Sequence, residues 1–257
     1  MRHRRAAWAK VRPSNTERIV TLRWFGTLAL CLAFTQAARA APAPVVVELF
    51  TSQGCSSCPP ADALLAEIVR TRPDVLALGL HVTYWDRLGW RAPFSLPAAT
   101  ARQRSYAALV RDGAIYTPQL VAGGRHQAIG SDRGAVTAAI SAARATAGQV
   151  TLTLTLVATA GPAADPTAVT LSAGPGTGAG TLWLIGYDPQ HVTPVRGGEN
   201  GGRTLTEANV VRAMMPAGAW TGTAAVFRAP RPAGERVAAL LQADDNRIVG
   251  TALPAPP

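Results

Sequence analysis

VVVELFTSQGCSSCPPAD, residues 45–62, sets an apolar run broken by one acid against a short polar loop that delivers Cys55-Ser-Ser-Cys58 to the head of a predicted helix. The β-branched run Val45–Phe50 reads as a buried strand. Pro59 and Pro60 suit a first helical turn, where few N–H groups have intrahelical partners. Two thiols at this spacing exchange electrons reversibly, and the N–H groups and dipole of a helix start favour a thiolate. Cys55 is therefore expected as the exposed nucleophile, and Cys58, one turn further and more buried, as the resolving thiol that closes the disulfide.

Two other readings of the pair stay open. As a structural staple it closes a four-residue loop, worth only about 2 kcal/mol in the loop-entropy model against nearly 5 for a hundred-residue loop. As a metal site it offers two thiolates to a soft ion such as Cu(I), but no His or second Cys pair stands at zinc-finger spacing. Residue 59 is Pro, so the haem-attachment pattern is absent.

The third cysteine, Cys31, falls in a segment with the build of a secretory signal peptide. Residues 1–40 carry a run of basic residues, an apolar core from Trp24 to Phe34, and Ala38-Arg39-Ala40 as a small-x-small cleavage site. That core of eleven residues is short of the roughly twenty a bilayer span needs. Cleavage is expected after Ala40, with a retained signal anchor as the alternative; Leu30 before Cys31 argues against lipid attachment. The mature protein is then secreted or periplasmic, where disulfides form and persist, with no stable membrane insertion.

Charge changes with the leader. The whole chain is +10, but residues 1–40 hold eight of its 25 basic residues and one of its 15 acids, which leaves +3 over the remainder. That balance excludes nucleic-acid binding on electrostatic grounds. After Lys10 there is no lysine, which excludes a phosphate-loop lysine, a Schiff base and a Ser-Lys dyad. No serine-hydrolase elbow or metalloprotease helix is present either.

Three segments follow: a leader at 1–40, a layered α/β domain at 41–148 and a β-rich accessory domain at 149–257. In the first domain Ala61–Arg70 has Leu64, Leu65, Ile68 and Val69 at helical spacing, and Val75–Thr83 reads as a buried strand. Pro97–Arg111 is a second predicted helix with Ala101, Tyr106, Leu109 and Val110 inward. Gln119–Ala122 and Arg125–Ile129 form a hairpin about Gly123-Gly124, and Asp132–Ala145 is a closing helix.

From Gln149 the pattern is all-β: Thr151–Val157 alternates strictly, and Thr181–Tyr187, Thr223–Arg228, Arg236–Gln242 and Arg247–Leu253 are further strands. One short helix is predicted at Thr206–Met214. The tract Gly161–Gly180 is a loop whose glycines lack the following helix that a dinucleotide site requires.

A strand leading into C-x-x-C at a helix start, with Tyr116-Thr117-Pro118 ahead of a hairpin and a final helix, resembles the thioredoxin fold over Val45–Ala147. The longer stretches ELFTSQGCSSCPPAD (48–62), HVTYWDRLGW (81–90), YTPQLVAGG (116–124) and RGGENGGRTL (196–205) are similar to a bacterial secreted family known as domain of unknown function 1223.

The first resemblance implies a thioredoxin-like domain whose Pro118 is cis and sits beside the cysteines. Thr117 would then pair its backbone with a bound peptide or thiol. It also implies a role for Glu48, which resembles the buried carboxylate that relays protons to the resolving cysteine, one residue further from the pair than usual; the other reading is a glutamate facing water.

Tyr84, Trp85, Trp90 and Phe94, interleaved with Asp86, Arg87 and Arg91, either line a substrate groove, with Trp85 in contact, or join the two domains. The turn Arg196-Gly-Gly-Glu199-Asn200-Gly-Gly-Arg203 either approaches the site or is a hairpin held by its own ion pair. His81 reads as a satisfied core histidine. The expected activity is thiol–disulfide exchange with a thiol- or disulfide-bearing protein or a small thiol, needing no small-molecule cofactor. The rival is a non-enzymatic binding module or Cu(I) carrier.

Overall fold

In the computed structural model, residues 43–108, 113–156 and 168–254 are described. The leader at 1–40 with Cys31, the inward positions Leu109 and Val110, and the front of the Gly161–Gly180 tract lie outside the described residues. Among those described, no helix is long and apolar enough to cross a membrane.

The strand Val45–Thr51 (β1) is buried at every position, Glu48 included, as a mostly apolar run with β-branched residues favours. It pairs in parallel with Val75–His81 (β2) and antiparallel with Gln119–Ala122 (β3), which turns through Gly123 and Gly124 into His126–Ile129 (β4). Gly124 has φ +76 and its Cα faces the Asn246 carbonyl so closely that a Cβ would stand 1.9 Å from that oxygen, so both conformation and space require glycine here.

Pro59–Thr71 (α1), Pro97–Ala107 (α2) and Arg133–Ala143 (α3) complete this part. α3 starts at Asp132, whose carboxylate accepts from the Ala135 N–H, an N-cap that satisfies a free helix donor.

Strict alternation along β1 divides the faces. Val45, Val47 and Leu49 pack with Leu64, Leu65 and Ile68 of α1 and Val136 and Ile140 of α3. Val46 and Phe50 face the other way, against Ala99 and Tyr106 of α2. The helix α2 is not amphipathic in the apolar sense: Ala101, expected inward, is exposed, and Arg102 and Gln103 take the buried face. Their burial is supported by polar partners, which a hydrophobicity pattern does not register.

The remaining strands extend the same sheet. Gly180–Pro194 (β7) and Thr204–Trp220 (β8) make a hairpin of 15- and 17-residue strands, and Arg236–Ala243 (β10) and Ile248–Ala252 (β11) follow. The order of the eight-stranded mixed sheet is β11-β10-β7-β8-β2-β1-β3-β4. Leu152–Leu156 (β5), Ala168–Ala173 (β6) and Ala225–Pro230 (β9) form a separate three-stranded antiparallel sheet. Its Leu154, Val169 and Leu171 pack on Leu182, Leu184 and Val237 of the large sheet.

Residues Ala41–Pro257 make one unit, with strands from both sides of Gln149 sharing the large sheet. The helix expected at Thr206–Met214 is instead the middle of β8. The pairing of β8 with β7 along its whole length, and the β-branched Val210 and Val211 in the core, override the helix-forming residues around them. β8 meets β2 in parallel at Gly79 and Val210, and Asn209, at φ 45, turns its side-chain amide onto the Ala77 carbonyl at 2.9 Å to continue the junction.

On the α2 face Glu48 is fully buried. Arg102 donates to both its oxygens, Tyr106 donates its hydroxyl, and the Arg102 guanidinium also reaches Gln242 Oε1 at 2.9 Å. A buried ion pair whose cation is removed leaves an uncompensated charge. Arg102→Met is expected to lower stability by about 3–5 kcal/mol in urea unfolding, and Glu48→Gln in the same chain to restore part of that loss.

Candidate functional site

β1 ends at Thr51 and the chain makes two successive turns, Cys55 N–H to the Ser52 carbonyl and Cys58 N–H to the Cys55 carbonyl, each at 3.2 Å. Cys58 is the N-cap of α1, with Pro59 and Pro60 in its first two positions. The turns bring the two Cα atoms within 5.5 Å, and Cys55 and Cys58 are paired at disulfide distance. Both cysteines are fully buried. Cys55, expected at the surface, is instead covered, and the exposed residues of the motif are Ser56 and Ser57 between them.

Around the Cys55 sulfur stand two neutral hydroxyls. Thr117 Oγ1 donates to it at 3.3 Å, and the Ser57 hydroxyl lies at 3.3 Å. Trp85 Nε1 donates to the same Thr117 oxygen at 2.7 Å, which holds that hydroxyl in place. The Thr117–Pro118 peptide bond is cis. Cys55, Cys58, Thr117, Pro118 and Trp85 are thus brought together. Glu48 is not with them: its hydrogen bonds go to Arg102 and Tyr106 on the α2 face, whereas Cys58 heads α1 on the opposite one. Nor does it face water.

The carboxylate on the cysteine side is Asp62, one turn into α1 from Cys58. Thr51 Oγ1 donates to it at 2.8 Å. Burial, and then the charge of Glu207, push its pKa up to about 8. Asp62 and Glu207 line a cleft of about 150 Å³ together with Pro59, Ala63 and Thr204–Thr206.

Glu207 accepts from Gln53 Nε2 at 2.6 Å, and Gln53 in turn accepts from Trp90 Nε1 at 3.1 Å. Behind Glu207 lies His81, with Nε2 3.3 Å from Glu207 Oε1. Neither His81 nitrogen has a hydrogen-bond partner, so it is not the satisfied core histidine expected from its strand. Burial lowers its pKa and keeps it neutral.

The turn at 196–203 approaches the site. Asn200, fully buried, donates its amide to the carbonyls of Gln53 and Cys55 at 3.0 and 2.7 Å, and accepts from Arg203 at 2.8 Å. Glu199 accepts from the Ser56 N–H at 2.8 Å and the Ser56 hydroxyl at 2.7 Å, and these bonds hold its carboxyl below the usual range. Gly198, at φ +68, permits this approach: a Cβ there would stand 3.0 Å from the Gly54 Cα.

Asp62 and Glu207 were not legible as site residues. Asp62 looks like an ordinary acid of a first helical turn, although its place four residues after Cys58 puts it on that residue's side of the helix. Glu207 is 154 positions from the glutamine it contacts. Among the described residues no group of three His, Cys, Asp or Glu is placed to hold a metal ion.

Fold and site together define a mixed α/β protein with a large mixed sheet, carrying a paired Cys-x-x-Cys at the head of a helix. The chain belongs to the family described as Protein of unknown function (DUF1223), whose model matches residues 46–242. A crystal structure of the protein AGR_C_4864 from Agrobacterium tumefaciens is similar, at 26% identity and a TM-score of 0.68, over 82% of this chain and 94% of that one. HBP35 of Porphyromonas gingivalis shares the fold at 14% identity and a TM-score of 0.54, over 82% and 74%. No curated protein matches the sequence.

In the folded chain Asp62 holds its proton up to about pH 8, whereas in the unfolded chain it ionises near 3.8. The folded state therefore binds the additional proton between these values, and stability falls as pH rises from about 4 to about 8. Asp62→Asn is expected to flatten that slope, read as the urea midpoint at about pH 5 and about pH 8.5.

Proposed function

We propose that this chain is a secreted or periplasmic thiol–disulfide oxidoreductase whose Val45–Ala147 part is a thioredoxin-like unit. The observation that carries the reading is the Cys55–Cys58 pair in the turn leading into α1, with the Thr117 hydroxyl donating to the Cys55 sulfur. A purely structural bridge needs no hydroxyl donors at one sulfur. Such donors stabilise a developing thiolate, which the dipole of the helix start also favours.

In the reduced form the Cys55 thiolate attacks one sulfur of a partner disulfide. The partner's S–S bond breaks, a Cys55–partner disulfide forms, and one partner thiolate leaves and takes a proton from solvent. Cys58 then loses its proton and attacks Cys55 Sγ, which closes the Cys55–Cys58 bond and releases the second partner thiolate.

Asp62, on the cysteine side of the sheet and bordering an open cleft, is the group this reading assigns, in the fraction of molecules in which it is ionised, to take the Cys58 proton and pass it to solvent. Glu48, engaged by Arg102, is not needed for that step. Ser56, Ser57 and Tyr116 are exposed and form the rim past which a partner reaches Cys55. Trp85 acts through Thr117 by fixing its hydroxyl.

Cys58→Ser is expected to trap a mixed disulfide with a thiol- or disulfide-bearing partner, seen as a mass shift that a reducing agent removes. Cys55→Ser is expected to trap none. Inert sulfurs in both variants, or retention of Cu(I) without any exchange, would replace this reading with a carrier or binding module.

A further inference from the structure

The β7–β8 hairpin brings the paired cysteines something that exchange chemistry does not itself require, namely negative charge. Among the described residues, the charged side chains hydrogen-bonded to the Ser52–Cys58 loop are two carboxylates, Glu199 on Ser56 and Glu207 on Gln53. A third, Asp62, lies one turn into α1. No arginine side chain among them donates to this loop. Arg203 is turned to Asn200 Oδ1 and Arg87 to the Tyr84 carbonyl, while Asp86, in the turn packed against the hairpin tip, accepts from Ser95.

Glu199 is exposed, is held as an anion by its two bonds from Ser56, and is fixed from both sides. Its own N–H donates to the Gly54 carbonyl at 3.2 Å, and the neighbouring Asn200 is anchored on Gln53 and Cys55. Its carboxylate also occupies the Ser56 N–H, an amide next to Cys55 that would otherwise be open to an anion.

When the disulfide opens, negative charge has to appear on Cys55. A carboxylate fixed on the adjacent residue opposes it, and whatever opposes the thiolate favours the disulfide over the dithiol. We propose that Glu199 is a positioning residue that biases the Cys55–Cys58 pair toward its disulfide, so that the reduced protein is an electron donor and its substrates are partner disulfides.

This rests on the thiol–disulfide reading above and gives it a direction. One Cys55 thiolate, one Cys58 thiol and one partner disulfide yield the Cys55–Cys58 disulfide, one partner thiolate and one partner thiol. Two electrons leave the protein, and an external dithiol returns them by becoming a disulfide itself.

The test is the equilibrium of the full chain with mixtures of reduced and oxidised dithiothreitol, read by alkylation and mass. Glu199→Gln keeps an acceptor for Ser56 and removes only the charge. It is expected to move the equilibrium toward the dithiol by about threefold to tenfold at low salt and to raise the rate of Cys55 alkylation near about pH 6 by a similar factor. Both effects are expected to shrink at high salt, because Glu199 is exposed.

Glu67→Gln, which removes a part-exposed carboxylate of α1 bound to Arg133 of α3, is expected to shift neither. Glu199→Gln without a shift, with a shift toward the disulfide, or with no more effect than Glu67→Gln would overturn the assignment to Glu199 while leaving exchange intact. A wild-type chain that exchanges with none of the mixtures would instead remove the oxidoreductase reading and this one with it.

Discussion

The residues Gln53 and Cys55 are buried; the amide of Asn200 donates to the Gln53 carbonyl and adds a second donor to the Cys55 carbonyl, which also accepts the Cys58 N–H of the turn. A buried carbonyl without a donor costs free energy comparable to a lost hydrogen bond, about 1–3 kcal/mol. The loop between β1 and α1 closes its tight turns with its own backbone bonds, and this side chain braces them. The turn carrying Asn200 stands at the end of two long strands that also pair with β2 and β10. Position is therefore transmitted from the large sheet to the cysteines through one amide, with Glu199 and the Glu207–Gln53 bond as neighbours.

The two faces of β1 treat buried charge in opposite ways. On the α2 face Glu48 has a complete set of partners in Arg102, Tyr106 and, through the guanidinium, Gln242. On the α1 face Asp62 and Glu207 have hydroxyl and amide donors but no cation, and His81 behind them is neutral. The first arrangement specifies how α2 sits, because the guanidinium has to meet the carboxylate in the core. The second stores a proton beside the cysteines, as buried unpaired carboxyls do.

The strand, loop and helix of residues 45–71 were legible because their signals are local: a β-branched run, a C-x-x-C, and two prolines at a helix head. The hairpin about Gly123-Gly124 and the helix after Asp132 were legible for the same reason. What was not legible depends on pairing across the chain. TEANVVRAMM at 206–215 has helix formers and lies in a strand because β7 supplies a partner along its whole length.

Arg102 and Gln103 sit on the inner face of α2 because Glu48, Tyr116 and Gln119 are there to bond them. Periodicity counts apolar residues and sees only a defective helix. At the site, the cysteines and Thr117-Pro118 announce themselves by type. Asp62 and Glu207 become notable only once burial and mutual proximity are known.

The distance in sequence between the cysteines and their anchors, 145 positions from Cys55 to Asn200, has a consequence for a chain emerging from synthesis. Closing so long a loop is slow compared with forming the local strand, turn and helix. Until the segment around residue 200 has been made and docked, the Gln53 carbonyl lacks its donor, the Cys55 carbonyl has only the turn bond from Cys58, and Ser56 lacks its acceptor. The two thiols of the nascent polypeptide then belong to an unbraced loop, open to whatever oxidant or thiol it meets, and the guarded pair of the folded protein comes into being only once the β7–β8 turn has docked.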